Sequence, residues 1–206
     1  MPEPAIKALF TDVGGVLLTN GWDSGCRKAA ARRFHLDLAE MESRHHLTFD
    51  TFEIGKVTLD TYIDRTVFYE PRPFTREEFR RFVFDCSQPY PEMLELMRRI
   101  RQRRRVKIAV VSNEGRELNQ HRVRAFGLAD FVDFFATSCY LQVRKPDLAI
   151  FQMALDLAQV SPEETVYIDD RPLLAEVAGS MGFRTIHHTS YEKTAAALGE
   201  LGLASG

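Results

Sequence analysis

Asp12, Ser112, Asn113, Lys145 and the pair Asp169-Asp170 are the residues of this chain whose types could do chemistry together. Asp12, Ser112 and Asp169 each follow a short apolar run, and Lys145 stands before a proline where a helical pattern begins. Phosphoryl transfer calls for such a set. A carboxylate attacks phosphorus, while a hydroxyl and backbone N–H groups hold the phosphoryl oxygens. A lysine offsets the charge on nucleophile and phosphate. Further carboxylates hold a hard cation, for which Mg2+ with oxygen ligands is the natural fit. Taken singly, each residue has a plainer use. Asp12 could open a turn, Ser112-Asn113 could cap a helix, Lys145 could be a surface lysine, and Asp169-Asp170 could be a turn or cap pair. Proximity would decide between the two readings.

The predicted elements bring the set together. Strands are expected over residues 5–11, 106–111, 134–137, 165–168 and 184–187, the first two as short apolar runs. Such runs are buried on both faces. Helices are expected from Pro91 onward, over 117–126 with Gly127 as its stop, from Lys145-Pro146-Asp147 with Pro146 in the first turn, over 173–181 and over 191–201. Alternating strands and helices imply a three-layer, Rossmann-like α/β core: a parallel sheet covered on both faces, with right-handed crossovers. The carboxyl ends of its strands share one edge, which is where open α/β sheets bind ligands. Gly14 and Gly15 let the chain turn tightly beside Asp12.

Between Asn20 and Ser87 the pattern changes to amphipathic helices, expected over 22–34, 38–49, 59–68 and 75–84. Thr75-Arg76-Glu77-Glu78 reads as a capping box. The expected organisation is a core domain of residues 1–19 and 88–206, with a helical-bundle cap of residues 20–87 inserted above the carboxyl edge of the sheet.

A hydrophobic fraction of 45% is ample for a core, and a net charge of −2 points to no polyanionic partner. Arg98, Arg99, Arg101, Arg103, Arg104 and Arg105 read as a solvated helix end, not as a nucleic-acid surface. Cys26, Cys86 and Cys139 suit a reduced cytosolic protein without a disulfide frame. The N-terminus lacks a signal-peptide pattern, and no apolar run approaches the ~20 residues of a membrane helix. The expectation is a cytoplasmic monomer or homodimer with neither a nucleic-acid nor a membrane partner. Trp22 and Tyr140 are candidates to line a pocket. The adjacent pairs His45-His46 and His187-His188 do not have metal-site spacing, and a cap histidine is expected to be a solvated surface residue.

In order and spacing, Asp12-Val13-Gly14-Gly15-Val16, Val110-Val111-Ser112-Asn113, Lys145-Pro146 and Tyr167-Ile168-Asp169-Asp170 resemble the four motifs of the haloacid dehalogenase (HAD) superfamily. The resemblance covers essentially the whole chain, and Phe52-Glu53-Ile54-Gly55-Lys56-Val57 resembles a cap turn of that superfamily. It implies Asp12 as nucleophile and former of an aspartyl-phosphate. It also implies a Mg2+ held by Asp12, the Gly14 carbonyl and Asp170, with Asp169 as a nearby or water-mediated partner. Two departures stand out. A second acid common four residues after the metal ligand is replaced by Leu174, and the aspartate usual two residues after the nucleophile is replaced by Gly14. That aspartate protonates the leaving oxygen and then activates water.

Three readings of Gly14 follow, in order of preference. The first is a phosphatase of a small phosphorylated metabolite whose leaving group needs little protonation, such as an anomeric sugar phosphate; the chain resembles the glucose-1-phosphate phosphatase-like subgroup in this D-x-G pattern. The second is a 2-haloacid dehalogenase, since halide needs no proton; but that chemistry needs no metal either. The third is a degenerate domain that binds without catalysing.

Overall fold

The computed structural model describes residues 4–103 and 106–203. Arg104 and Arg105 of the arginine run lie outside the described residues. Five strands, Ala8–Thr11 (β1), Lys107–Ser112 (β2), Phe134–Thr137 (β3), Thr165–Asp169 (β4) and Arg184–His187 (β5), form one sheet in the order β3-β2-β1-β4-β5. Every neighbouring pair is parallel. The first strand is shorter than expected, although Lys7 still pairs on both sides through its N–H to Glu164 and its carbonyl to Lys107.

Alternation along the strands explains their unbroken apolar runs. Leu9, Ile108, Val110, Val166 and Ile168 pack on one face against Met93, Met97 and Ile100. Phe10, Ala109, Val111 and Tyr167 pack on the other against Ile150, Phe151, Leu155 and Ala178. With both faces covered by helices, neither parity of the strand can be polar. The covering helices are Pro91–Arg103 and Tyr191–Glu200 on the first face and Leu148–Ala158 and Pro172–Ser180 on the second.

Between β1 and the Pro91 helix lie Ser24–Phe34 (α1), Leu38–Glu53 (α2), Leu59–Thr66 (α3) and Arg76–Asp85 (α4). They share a separate apolar cluster in which Trp22, Met41, Leu59, Tyr62, Phe79 and Val83 are buried. Each begins at a side-chain cap: Asp23, Asp37, Thr58 and Thr75, the last in a complete capping box with Glu78. The chain enters and leaves these helices side by side. Leu18 bridges Pro89, the Thr19 N–H donates to the Gln88 carbonyl, and the Tyr90 N–H donates to the Leu17 carbonyl.

Two expectations need correction. Pro146 is not in a first helical turn: Asp147 caps the helix, its side chain accepting from the Ala149 N–H, and the helix starts at Leu148. A short helix at Ser138–Leu141 directly follows β3 and was not foreseen. Four residues are too few for helical periodicity to show.

The arginine run is engaged with its own protein. Arg101 pairs with Asp133, Arg99 donates to the Tyr191 hydroxyl, and Arg98 lies over the Phe131 ring. Among the described residues, no helix is long and apolar enough to cross a membrane.

Candidate active site

Three strand ends and one loop converge at the carboxyl edge of the sheet. Asp12 follows β1, Ser112 ends β2, and Asp169-Asp170 ends β4 beside it. In parallel register these positions are neighbours, because Thr11 pairs with both Val110 and Ile168. Lys145 arrives on the loop before the Leu148–Ala158 helix. Its Nζ lies 3.1 Å from Asp12 Oδ2, 2.7 Å from Asp169 Oδ2 and 2.9 Å from the Tyr167 hydroxyl. Asn113 fixes that loop: its side-chain amide donates to the Lys145 carbonyl and its amide oxygen accepts from the Lys145 N–H, at 2.9 and 2.8 Å. The Asn113 side chain thus braces the lysine, and any contact with a ligand falls to its backbone.

Charge and burial are finely balanced here. Burial pushes the Asp12 carboxyl upward, opposed by the Lys145 ammonium and reinforced by Asp169, while the Ser112 hydroxyl favours its ionised form. Burial alone would lower the Lys145 pKa, but Asp12 and Asp169 outweigh it and hold the ammonium above its ordinary value. The lysine is therefore a fixed positive charge between two carboxylates.

Asp12, Asp169 and Asp170 each present an oxygen within 4.8 Å of the others. Their oxygens are not equally engaged. Asp169 accepts from Lys145 and Tyr167 at Oδ2 and from the Arg171 N–H at Oδ1. Asp170 accepts from the Asn20 amide at Oδ2, while its buried Oδ1 has no hydrogen-bond partner among the described residues. An orphaned carboxylate oxygen beside two more carboxylates fits a hard cation with oxygen ligands. Gly15 makes the arrangement possible. It sits at φ +74°, and a Cβ there would lie 2.1 Å from Asp170 Oδ2, so only glycine fits. Gly14 also lines the site, and a Cβ there would lie 3.0 Å from the Asn20 side-chain oxygen, with the Asn20 Cα at 3.5 Å and Arg122 Nη1 at 3.8 Å.

A cavity of about 430 Å³ opens above this floor. Asp12, Ser112, Lys145 and Arg171 line it from the sheet edge, and Trp22, Arg27, His45, Phe49 and Glu53 from the inserted helices. Trp22 therefore lies where the sequence suggested, whereas Tyr140 does not: it is exposed, with Arg116 over its ring. His45 is not a solvated surface residue. It is buried and hydrogen-bonded through Nδ1 to the Tyr62 hydroxyl, and burial together with nearby Arg27 pulls its pKa down to about 4.

Three contributors escaped the sequence reading. Tyr167 lies within a recognised motif but has no role apparent from its type. Arg122 sits 2% exposed, paired with buried Glu114 and donating to Ser87 Oγ and the Thr19 carbonyl. Glu53 ends α2 beside the cavity. Burial pushes its carboxyl up to about 7 despite Arg144, Arg171 and Lys145, with Asp12 adding to the rise. Its only sequence signal was the cap-turn resemblance, which did not indicate where the side chain points.

Residues 6–182 match the family model for haloacid dehalogenase-like hydrolases. The chain belongs to that family of hydrolases. It is 24% identical over 179 residues to (S)-2-haloacid dehalogenase 4A of Burkholderia cepacia, covering 85% of this chain and 76% of that one. A HAD family enzyme of Bacteroides thetaiotaomicron, solved with magnesium and inorganic phosphate, superposes with a TM-score of 0.75 at 21% identity, over 90% of this chain and 95% of that one. A HAD-like hydrolase of Porphyromonas gingivalis gives 0.73 at 20%, over 95% and 98%. These structural likenesses carry the fold.

Proposed function

We propose that the protein is a Mg2+-dependent phosphatase acting on a small phosphorylated metabolite, a sugar phosphate included, and that helices α1–α4, within residues 20–87, serve as its cap. One observation carries this reading: among the described residues, Asp170 Oδ1 is buried without a hydrogen-bond partner beside Asp12 and Asp169. The Lys145 ammonium offsets one of these three negative charges, and the remaining excess favours a further cation at the open Asp170 oxygen. Displacement of halide from carbon has no use for such a cation. The magnesium and phosphate bound by the Bacteroides enzyme point the same way, whereas the Burkholderia relative supplies the competing dehalogenase reading.

Asp12, the Gly14 carbonyl and Asp170 would hold the ion, with Asp169 behind them, already engaged by Lys145. When bound, Mg2+ neutralises charge on the phosphoryl oxygens and on Asp12. An Asp12 oxygen attacks phosphorus, the bond to the leaving oxygen breaks, and an aspartyl-phosphate forms. Ser112 Oγ and the Asn113 backbone N–H receive phosphoryl oxygens, and Lys145 balances the charge on nucleophile and phosphate. Water then attacks the same phosphorus and releases Asp12.

The test is hydrolysis of a panel of phosphate esters and one 2-haloacid, with Mg2+ and with chelator. Phosphate release that requires Mg2+ is expected, and Asp12→Asn should abolish it while leaving thermal unfolding cooperative. Halide release at full rate in chelator would replace this reading with the dehalogenase.

A further inference from the structure

We propose that Glu53 is the proton donor and acceptor of this site, taking over the work of the side chain that Gly14 lacks. The inference rests on the phosphatase reading above. It starts from geometry. Asp12 forms the floor of the cavity, and in a phosphoryl transfer the attacking and leaving oxygens lie roughly in line. The leaving oxygen must therefore point away from Asp12, toward the inserted helices. Glu53 is the carboxylate that α2 brings to that side of the cavity.

The turn carrying Glu53 is docked onto the core at several points. The Glu53 carbonyl accepts from Ser138 Oγ at 2.7 Å. Gly55 sits at φ +71°, with its Cα so near the Cys139 carbonyl that a Cβ would lie 2.3 Å from that oxygen. The Phe52 ring covers Gly115 just as closely. Arg144, next to Lys145, pairs with Asp50 and lies 2.9 Å from Glu53 Oε2. That last contact is misaligned for hydrogen bonding, and Oε2 is a buried oxygen without a hydrogen-bond partner among the described residues. A carboxyl on so firmly docked a turn, 8% exposed and with Oε2 ion-paired to Arg144 but not hydrogen-bonded, is placed to exchange a proton with a ligand.

The charged groups facing it are Arg144 and Arg171 on one side and Asp12 and Lys145 below. Burial outweighs the cations, so near neutral pH both protonation states are populated, as alternate acid and base roles require. Of the other acids and imidazoles in the cavity wall, Asp23 caps α1 by accepting from the Cys26 N–H, Glu114 is paired with Arg122 and Asn119, and His45 is held neutral by burial and Arg27 and has its Nδ1 engaged by Tyr62. In the first half-reaction the proton passes from the Glu53 carboxyl to the leaving oxygen as the P–O bond breaks. In the second, the Glu53 carboxylate takes a proton from the water that attacks the aspartyl-phosphate. The proton balance closes over the cycle, and the restriction to weakly basic leaving groups drawn from Gly14 is lifted.

The experiment compares wild type, Glu53→Gln, Glu53→Asp and Glu53→Gln/Gly14→Asp on alkyl and aryl phosphates of graded leaving-group basicity, with Mg2+. In Glu53→Gln, kcat on alkyl phosphates should fall by about 10²–10⁴-fold and acquire a steep dependence on leaving-group basicity. With the best aryl leaving group the same variant should show a burst and accumulate phosphoenzyme, and its kcat/KM should lose the ionisation near neutral pH. Mg2+ affinity should stay within about twofold of wild type, which a merely structural loss at the site would not allow. Gly14→Asp should restore part of the rate, since that position has no left-handed φ and the tightest neighbour of an added Cβ is the Asn20 side-chain oxygen. Glu53→Gln matching wild type across the series, without a burst, overturns the role of Glu53 alone. Wild type that hydrolyses no phosphate ester overturns the phosphatase reading and this role with it.

Discussion

At the scale of the residue, the site is organised by what each carboxylate lacks. Asp169 is fully engaged by Lys145, Tyr167 and the Arg171 N–H, whereas Asp170 keeps one oxygen open. Chemically identical neighbours in sequence thereby receive different work. Glu53 carries a prediction of its own. Its pKa in the folded protein is about 7, raised by burial above its ordinary 4.5. A raised carboxyl makes the folded state bind more protons than the unfolded chain, so its contribution to stability is complete below 4.5 and is lost as pH rises through about 7. A shift of this size corresponds to roughly 3 kcal/mol. Urea unfolding of wild type and Glu53→Gln between about pH 5 and 8 should show the wild type losing up to that much relative to the variant. Parallel stability profiles would mean that Glu53 titrates normally.

At the scale of the element, the turn after α2 determines whether the cavity is complete. Gly55 lets it approach the Ser138–Leu141 helix, and Ser138 in turn holds the Glu53 carbonyl. In Gly55→Ala the new Cβ meets the Cys139 carbonyl, and the left-handed backbone costs about 1–2 kcal/mol. The turn should retreat, carrying Glu53 away from the site. Turnover should drop by tenfold or more, on the order of the loss expected when a proton-transfer group is displaced. Mg2+ binding by the core, measured by calorimetric titration, should persist. Equal loss of metal binding would show that the turn supports the strand ends as well.

At the scale of the whole molecule, the four-helix insert and the sheet meet through two adjacent linkers. Arg122 ties them together by donating to Thr19 in one and Ser87 near the other while neutralising Glu114 beneath. Without the guanidinium, the Glu114 carboxylate keeps only the Asn119 amide as hydrogen-bond partner among the described residues. Arg122→Met should therefore cost about 3–5 kcal/mol, the penalty of an uncompensated buried charge. Adding Glu114→Gln should recover a part of it. Chemical denaturation of the single and double variants measures both effects. Unchanged stability in Arg122→Met would mean that solvent reaches Glu114.

Much of this protein was legible without coordinates. Both-sided burial leaves unbroken apolar runs, so β2 and β4 could be read from composition alone, and parallel pairing then required their carboxyl ends to share an edge. That is why Asp12, Ser112, Lys145 and Asp169-Asp170 could be named together from their places along the chain. The capping box at Thr75 was equally plain, because its geometry is local. The roles that depend on contacts between distant segments were not. Whether Asp169 or Asp170 keeps an open oxygen depends on where Lys145 and Tyr167 reach. Whether His45 is solvated or buried depends on Tyr62. The Arg122–Glu114 pair and the placement of Glu53 over the cavity arise only when the inserted helices close on the sheet. Periodicity reports which face of an element is buried, but not which neighbour covers it, and the charge state of a buried group is decided by that neighbour.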